Sequence, residues 1–117
     1  MRAALRALIS FDVQDLSSWS PGSEDWSLGL GILAGPDDGR REESFDLTVC
    51  SAGWLALLAR RDGVVDGRHH LVVDGFNWPS VRSYIERRVQ QCEGAAWRDV
   101  AEQLSRLDYW EFEDYRP

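Results

Sequence analysis

Near its end the chain changes hydrophobic period, and that change constrains the fold more than any other stretch. From Trp97 to Leu104 the apolar residues fall at Trp97, Val100, Ala101 and Leu104, the spacing of one helical face. After Leu107 the period drops to two, with Trp110 and Phe112 on one side and Glu111, Glu113 and Tyr115 on the other. A helix that hands over to a short strand, aromatics inward and carboxylates outward, is built to dock on a sheet. The outward strip, continued by Asp114, reads either as an edge kept soluble by charge or as a surface for a partner.

The rest of the chain supplies that sheet. Ala3 to Phe11 reads as a strand, with Leu5, Ala7, Ile9 and Phe11 alternating with Ala4, Arg6, Leu8 and Ser10. Asp15 to Asp25, rich in Ser, Pro, Gly and acid, is a surface loop carrying Trp19. Trp26 to Ala34 alternates again, Gly35-Pro36-Asp37-Asp38-Gly39 is a turn, and Glu43 to Cys50 resumes alternation with Phe45, Leu47 and Val49 inward. Ser51 can cap a helix from Ala52 to Arg61, with Trp54, Leu55 and Leu58 as its stripe and Asp62-Gly63 at its end. Arg68 to Val73 reads as a fourth strand. Asn77 can cap another helix, with Pro79 in its first turn, Trp78, Val81, Ile85, Val89 and Cys92 on its buried face, and Gly94 as its stop. The pattern predicts an α+β domain spanning 1–117: an antiparallel sheet of four to five strands with about three helices packed on one face.

Several functional classes lose support at this level. A chain of 117 residues with a net charge of −7 does not present the clustered cations that phosphate contacts need, so nucleic acid is not its expected partner. No segment approaches the length of a membrane span. Arg6 and Asp12 interrupt the opening apolar run before it could serve as a signal peptide, which points to a cytoplasmic protein. Cys50 and Cys92 match no metal spacing and read as two buried thiols. His69 and His70, adjacent on a strand, would point to opposite faces and could not hold one metal. Gly29-Leu-Gly31-Ile-Leu-Ala34 fits a dinucleotide fingerprint only in letters. That motif works where a strand turns into a helix, whereas these glycines lie inside a strand, as small residues making room for a helix packed across it. No catalytic, cofactor-binding or metal residue is assigned, and the chain does not read as an enzyme.

Six tryptophans remain to be placed. Trp54, Trp78 and Trp97 sit on inward helical faces, whereas Trp19 and Trp110 are less securely inward and are the better interface anchors. With the exposed carboxylates they make the candidate partner-binding set Asp37, Asp38, Trp19, Trp110, Glu111, Glu113, Asp114 and Tyr115. A small adaptor or structural module with a housekeeping partner would also fit.

Five stretches carry a more specific signal: Asp12 to Pro21 (DVQDLSSWSP), the Gly35-Pro36 turn, Glu43 to Leu55 (ESFDLTVCSAGWL), Gly67 to Val73 (GRHHLVV) and Cys92 to Tyr115 (CEGAAWRDVAEQLSRLDYWEFEDY). In this order they resemble immunity protein family 8 of bacterial polymorphic toxin systems, most specifically in the closing WEFEDY. The resemblance departs where the family tends to read Thr-Pro-x-Trp-Leu and this chain has Ser51-Ala52-Gly53-Trp54-Leu55. It implies a non-catalytic cytoplasmic protein that binds and neutralises a cognate toxin C-terminal domain in the producing cell. If that toxin is a nuclease, its basic surface would face the acidic strips at Asp37/Asp38 and Glu111/Glu113/Asp114.

Overall fold

The computed structural model describes residues 1–39, 41–107 and the backbone of 109–110. Strands β1 (Ala3–Ile9), β2 (Ser27–Pro36) and β3 (Glu43–Cys50) form the antiparallel meander that alternation predicts. β2 and β3 stay in register from Ser27↔Cys50 to Ala34↔Glu43. Leu28, Leu30 and Ile32 therefore lie beside Val49, Leu47 and Phe45 on one buried face. In the hairpin turn the Gly39 N–H donates to the Pro36 carbonyl at 3.1 Å, and Gly39 takes φ 88°, a left-handed conformation that favours glycine. Gly35 must be small for another reason: a Cβ there would strike the Arg41 carbonyl oxygen.

β1 does not keep simple alternation. Its register with β2 shifts between Leu5 and Ala7, so Arg6 is the extra residue of a bulge and the inward set changes parity. Ala3, Leu5 and Leu8 join or pack against the core, while Ile9 is exposed. The Arg6 guanidinium donates to the Pro36 carbonyl at 2.7 Å, tying the bulge to the neighbouring strand end.

The far edge of the sheet is where the structure departs from a wholly antiparallel arrangement. β4 (His70–Val72) pairs with β3 in parallel, from Thr48↔His70 to Cys50↔Val72. Helix α1 (Ala52–Asp62) separates the two strands and carries the chain back, so that β4 begins from the same end as β3. β4 is shorter than the expected Arg68-to-Val73 run because the chain turns at His69, at φ 66°. β5 (Tyr109–Trp110) takes the other half of the same β3 edge, antiparallel, with Trp110 opposite Phe45. The α+β class, the strand number and the three helices are as expected; the sheet is mixed.

Helices α2 (Trp78–Gln90) and α3 (Trp97–Leu104) cover the apolar face. The Asn77 side-chain oxygen accepts from the Ser80 N–H at 3.1 Å, with proline in the first turn. Val81, Ile85 and Val89 are buried. α3 buries the whole stripe Trp97, Val100, Ala101 and Leu104. At its start the Asp99 carboxylate accepts from the Ala96 N–H at 3.2 Å, satisfying a donor left open by the first turn. Gly94 does not terminate α2, which is capped by Gln91 in a right-handed conformation. Gly94 is small because Asp99 packs against it: an added Cβ would lie 2.9 Å from the Asp99 Cβ. α1 stands apart from this layer. It has no buried residue and contributes none to the core cluster, and its Trp54 ring lies 6.2 Å from that of His70. Packing on one face thus describes α2 and α3, while Trp54, Leu55 and Leu58 of α1 are half-buried.

Candidate functional site

Opposite α2 and α3 the sheet carries little side-chain bulk. Residues with the other parity on β2 and β3 include Gly29, Gly31, Asp46 and Thr48, paired as Gly29↔Thr48 and Gly31↔Asp46. The two glycines leave a trough of about 510 Å³. A Cβ on Gly29 would stand 3.7 Å from an Asp12 carboxylate oxygen, and one on Gly31 would stand 3.1 Å from the Ile9 side chain. What approaches these glycines is therefore the end of β1 and the residues after it, not the packed helix that the strand pattern suggests.

Two walls rise from this floor. One holds Phe11, which is 93% exposed, and Asp12. The other is the turn Arg68-His69-His70. His70 Nδ1 lies 3.0 Å from the Arg68 carbonyl, and the Thr48 N–H donates to the His69 carbonyl at 3.1 Å, locking that turn to β3. Both histidines are half-buried and line the trough, although adjacent strand residues would point to opposite faces. Among the described residues no arginine pairs with Asp12 or Asp46.

The trough does not offer an assembled nucleophile or metal centre. Among the described residues no three His, Cys, Asp or Glu side chains converge to hold a metal, and no helix is long and apolar enough to cross a membrane. Cys50 and Cys92 are both buried thiols. Burial pushes the Cys50 thiol up, away from the thiolate that nucleophilic chemistry needs.

The residues singled out from sequence do not form one site. Asp37 and Asp38 are exposed on the β2–β3 turn, with the Asp37 N–H donating to the Arg2 carbonyl at 2.9 Å. β5 lies along the half of β3 next to that turn, which brings the backbone of Trp110 to the same end of the sheet. Glu111, Glu113, Asp114 and Tyr115 lie outside the described residues. Trp19 belongs to the opposite end, beside the start of β2, roughly 30 Å away at the rise of an extended strand. It is half-buried there in an edge-on aromatic nest, 5.7 Å from Trp26 and 4.8 Å from Phe76. Beside the nest a second hollow of about 840 Å³ lies between Asp25, the start of α1 and Asp74.

Phe11, Asp12, Asp46 and His70 are the site residues that sequence reasoning passed over. Their signal is the parity of the glycines: two small residues on one strand face mark a place where something comes close, and here Ile9 covers Gly31 while Gly29 is left exposed among the described residues. Of the charged residues lining the trough, Asp12 and Asp46 are acidic and Arg68 is basic; along the sequence the charge is uneven. Residues 10–50, which supply Phe11, Asp12 and the floor, hold nine carboxylates against two arginines. Residues 52–107, which contain the helices, hold seven carboxylates and eight arginines.

No curated protein and no solved structure matches the chain. The sequence model of the family described as Immunity protein 8 matches residues 3–115 of the 117, and the chain belongs to that family.

Proposed function

We propose that this protein binds the C-terminal toxin domain of a secreted bacterial protein in the cytoplasm of the producing cell and neutralises it by occlusion, without chemistry of its own. The observation that carries the reading is the family match across residues 3–115. The composition is compatible with it: a net charge of −7 suits a basic partner, and complementary charge speeds association more than it deepens affinity. In this reading the toxin is a basic nuclease. Asp37, Asp38, Trp19, Trp110, Glu111, Glu113, Asp114 and Tyr115 are partner-facing candidates, the last four through sequence alone. The separation of Trp19 from Asp37 means that a partner touching both would have to span the sheet.

The test is co-expression with the toxin domain encoded beside this chain, scoring growth and co-purification together. The expected outcome is restored growth with a stoichiometric complex whose association rate falls steeply as salt rises. Restored growth without a complex, or a complex without restored growth, would exclude neutralisation by binding.

A further inference from the structure

Resting on that reading, we propose that the toxin docks in the glycine-floored trough on the open face of the sheet, and that the segment it inserts carries an arginine or lysine next to an apolar side chain. Three independent observations meet there. The exposed floor at Gly29, where the nearest atom to an added Cβ is 3.7 Å away, lets another backbone approach the sheet more closely than a side-chain-bearing residue would allow, while Gly31 beside it is covered by Ile9. Phe11 stands at the rim, 93% exposed, an aromatic group that gains from being covered as an interface anchor gains. Asp12 and Asp46 face the same hollow, together with the single arginine Arg68.

The choice of a cationic occupant comes from charge complementarity. In the hollow itself the two carboxylates Asp12 and Asp46 outnumber the one arginine, Arg68, and the chain as a whole carries a net charge of −7. An inserted cation between Asp12 and Asp46 would be shielded from water by Phe11 on one side and the His70 turn on the other. Shielding strengthens a charge-assisted bond relative to one made on an open surface. The helix layer offers no equivalent hollow: its outer side presents Arg82, Arg87 and Arg98 interspersed with Glu86, Asp99 and Glu102.

Gly29 allows the proposal to be tested without damaging the fold. Its backbone lies outside the left-handed region, the nearest atom to an added Cβ is in ordinary contact at 3.7 Å, and a β-branched residue suits a strand. Gly29→Val should therefore fill the trough while keeping the melting temperature equal to or above that of the parent. Binding of the full chain to the toxin domain encoded beside it, measured by calorimetry, is expected to weaken at least 100-fold for Gly29→Val and at least 30-fold for Phe11→Ala. Asp12→Asn with Asp46→Asn should weaken it about 10-fold and flatten its salt dependence, whereas Arg87→Ala on α2 should leave it unchanged. Phe11→Ala guards against misfolding as an explanation, because so exposed a ring supports little of the core. Unaltered binding by folded Gly29→Val and Phe11→Ala would overturn the proposal, as would loss of binding only on Asp37→Asn with Asp38→Asn. If the unmodified chain neither binds nor rescues, the toxin-binding reading itself fails and this docking surface falls with it.

Discussion

Ser51 joins the sheet to the first helix through one hydroxyl. Its Oγ accepts from the Trp54 N–H, capping α1, and from the Trp26 N–H across the sheet, each at 3.1 Å. Its own N–H donates to the Trp26 carbonyl at 3.0 Å. A cap is worth about 1 kcal/mol and a buried donor left without a partner costs about 1–3 kcal/mol. Ser51→Ala is therefore expected to lower unfolding stability by about 2 kcal/mol, read from the urea midpoint at unchanged slope. The capping half of this role was legible, because serine directly before an apolar stripe is a local signal. The Trp26 half was not: it joins residues 25 apart in sequence, and only the pairing of β2 with β3 brings them together. Glycine at Gly35 has the same character. Its neighbours in sequence announce a turn, but the atom that forbids a side chain is the carbonyl of Arg41 across the hairpin.

At the level of elements, the helices differ in how much of their fate is written in their own residues. α3 carries four apolar residues at helical spacing and buries all four. α1 carries a comparable stripe and buries none of it, because the burial of a stripe depends on which sheet face the crossover leaves it beside. α3 is further held by Gln103, whose amide nitrogen donates to the Glu93 carbonyl at 2.7 Å while its amide oxygen accepts from the Glu93 N–H at 3.1 Å. The same segment after α2 is tied to the start of β1, with the Ala3 N–H donating to the Cys92 carbonyl and the Gly94 N–H to the Met1 carbonyl. One amide side chain thus links α3, the α2 exit and the β1 edge. Gln103→Ala should cost about 1–2 kcal/mol, two exposed bonds being worth less than two buried ones. Amide exchange should accelerate first at Glu93, Gly94 and Ala3; unchanged exchange there would remove Gln103 from the linkage. The β1 bulge is the element-level feature that alternation misreads, since one extra residue at Arg6 turns Ile9 outward.

For the whole molecule, the mixed sheet sets where things can bind. β4 and β5 divide one edge of β3 between them, so the sheet's outer strands are β1 on one side and the two short strands β4 and β5 on the other. Both cysteines are enclosed by the same assembly. Neither is expected to react with a thiol reagent in the native protein on the minutes timescale, and both should react once urea unfolds it, because burial removes access at both and also lowers the thiolate fraction at Cys50. A rapid native reaction at Cys50 would contradict its burial. The kind and order of the secondary elements, the Ser51 and Asn77 caps, the helix-to-strand handover near the end, the acidic balance and the likeness to an immunity family were determined by the sequence alone. Each of these depends on residues a few positions apart or on the whole composition, and local sterics and periodicity act at that range. The parallel course of β4, the shared β3 edge, the half-buried α1 and the trough between Phe11 and His70 were decided only by tertiary structure. These depend on which distant faces meet, and a residue such as Gly29 has the same local pattern whether a helix fills the space above it or nothing does.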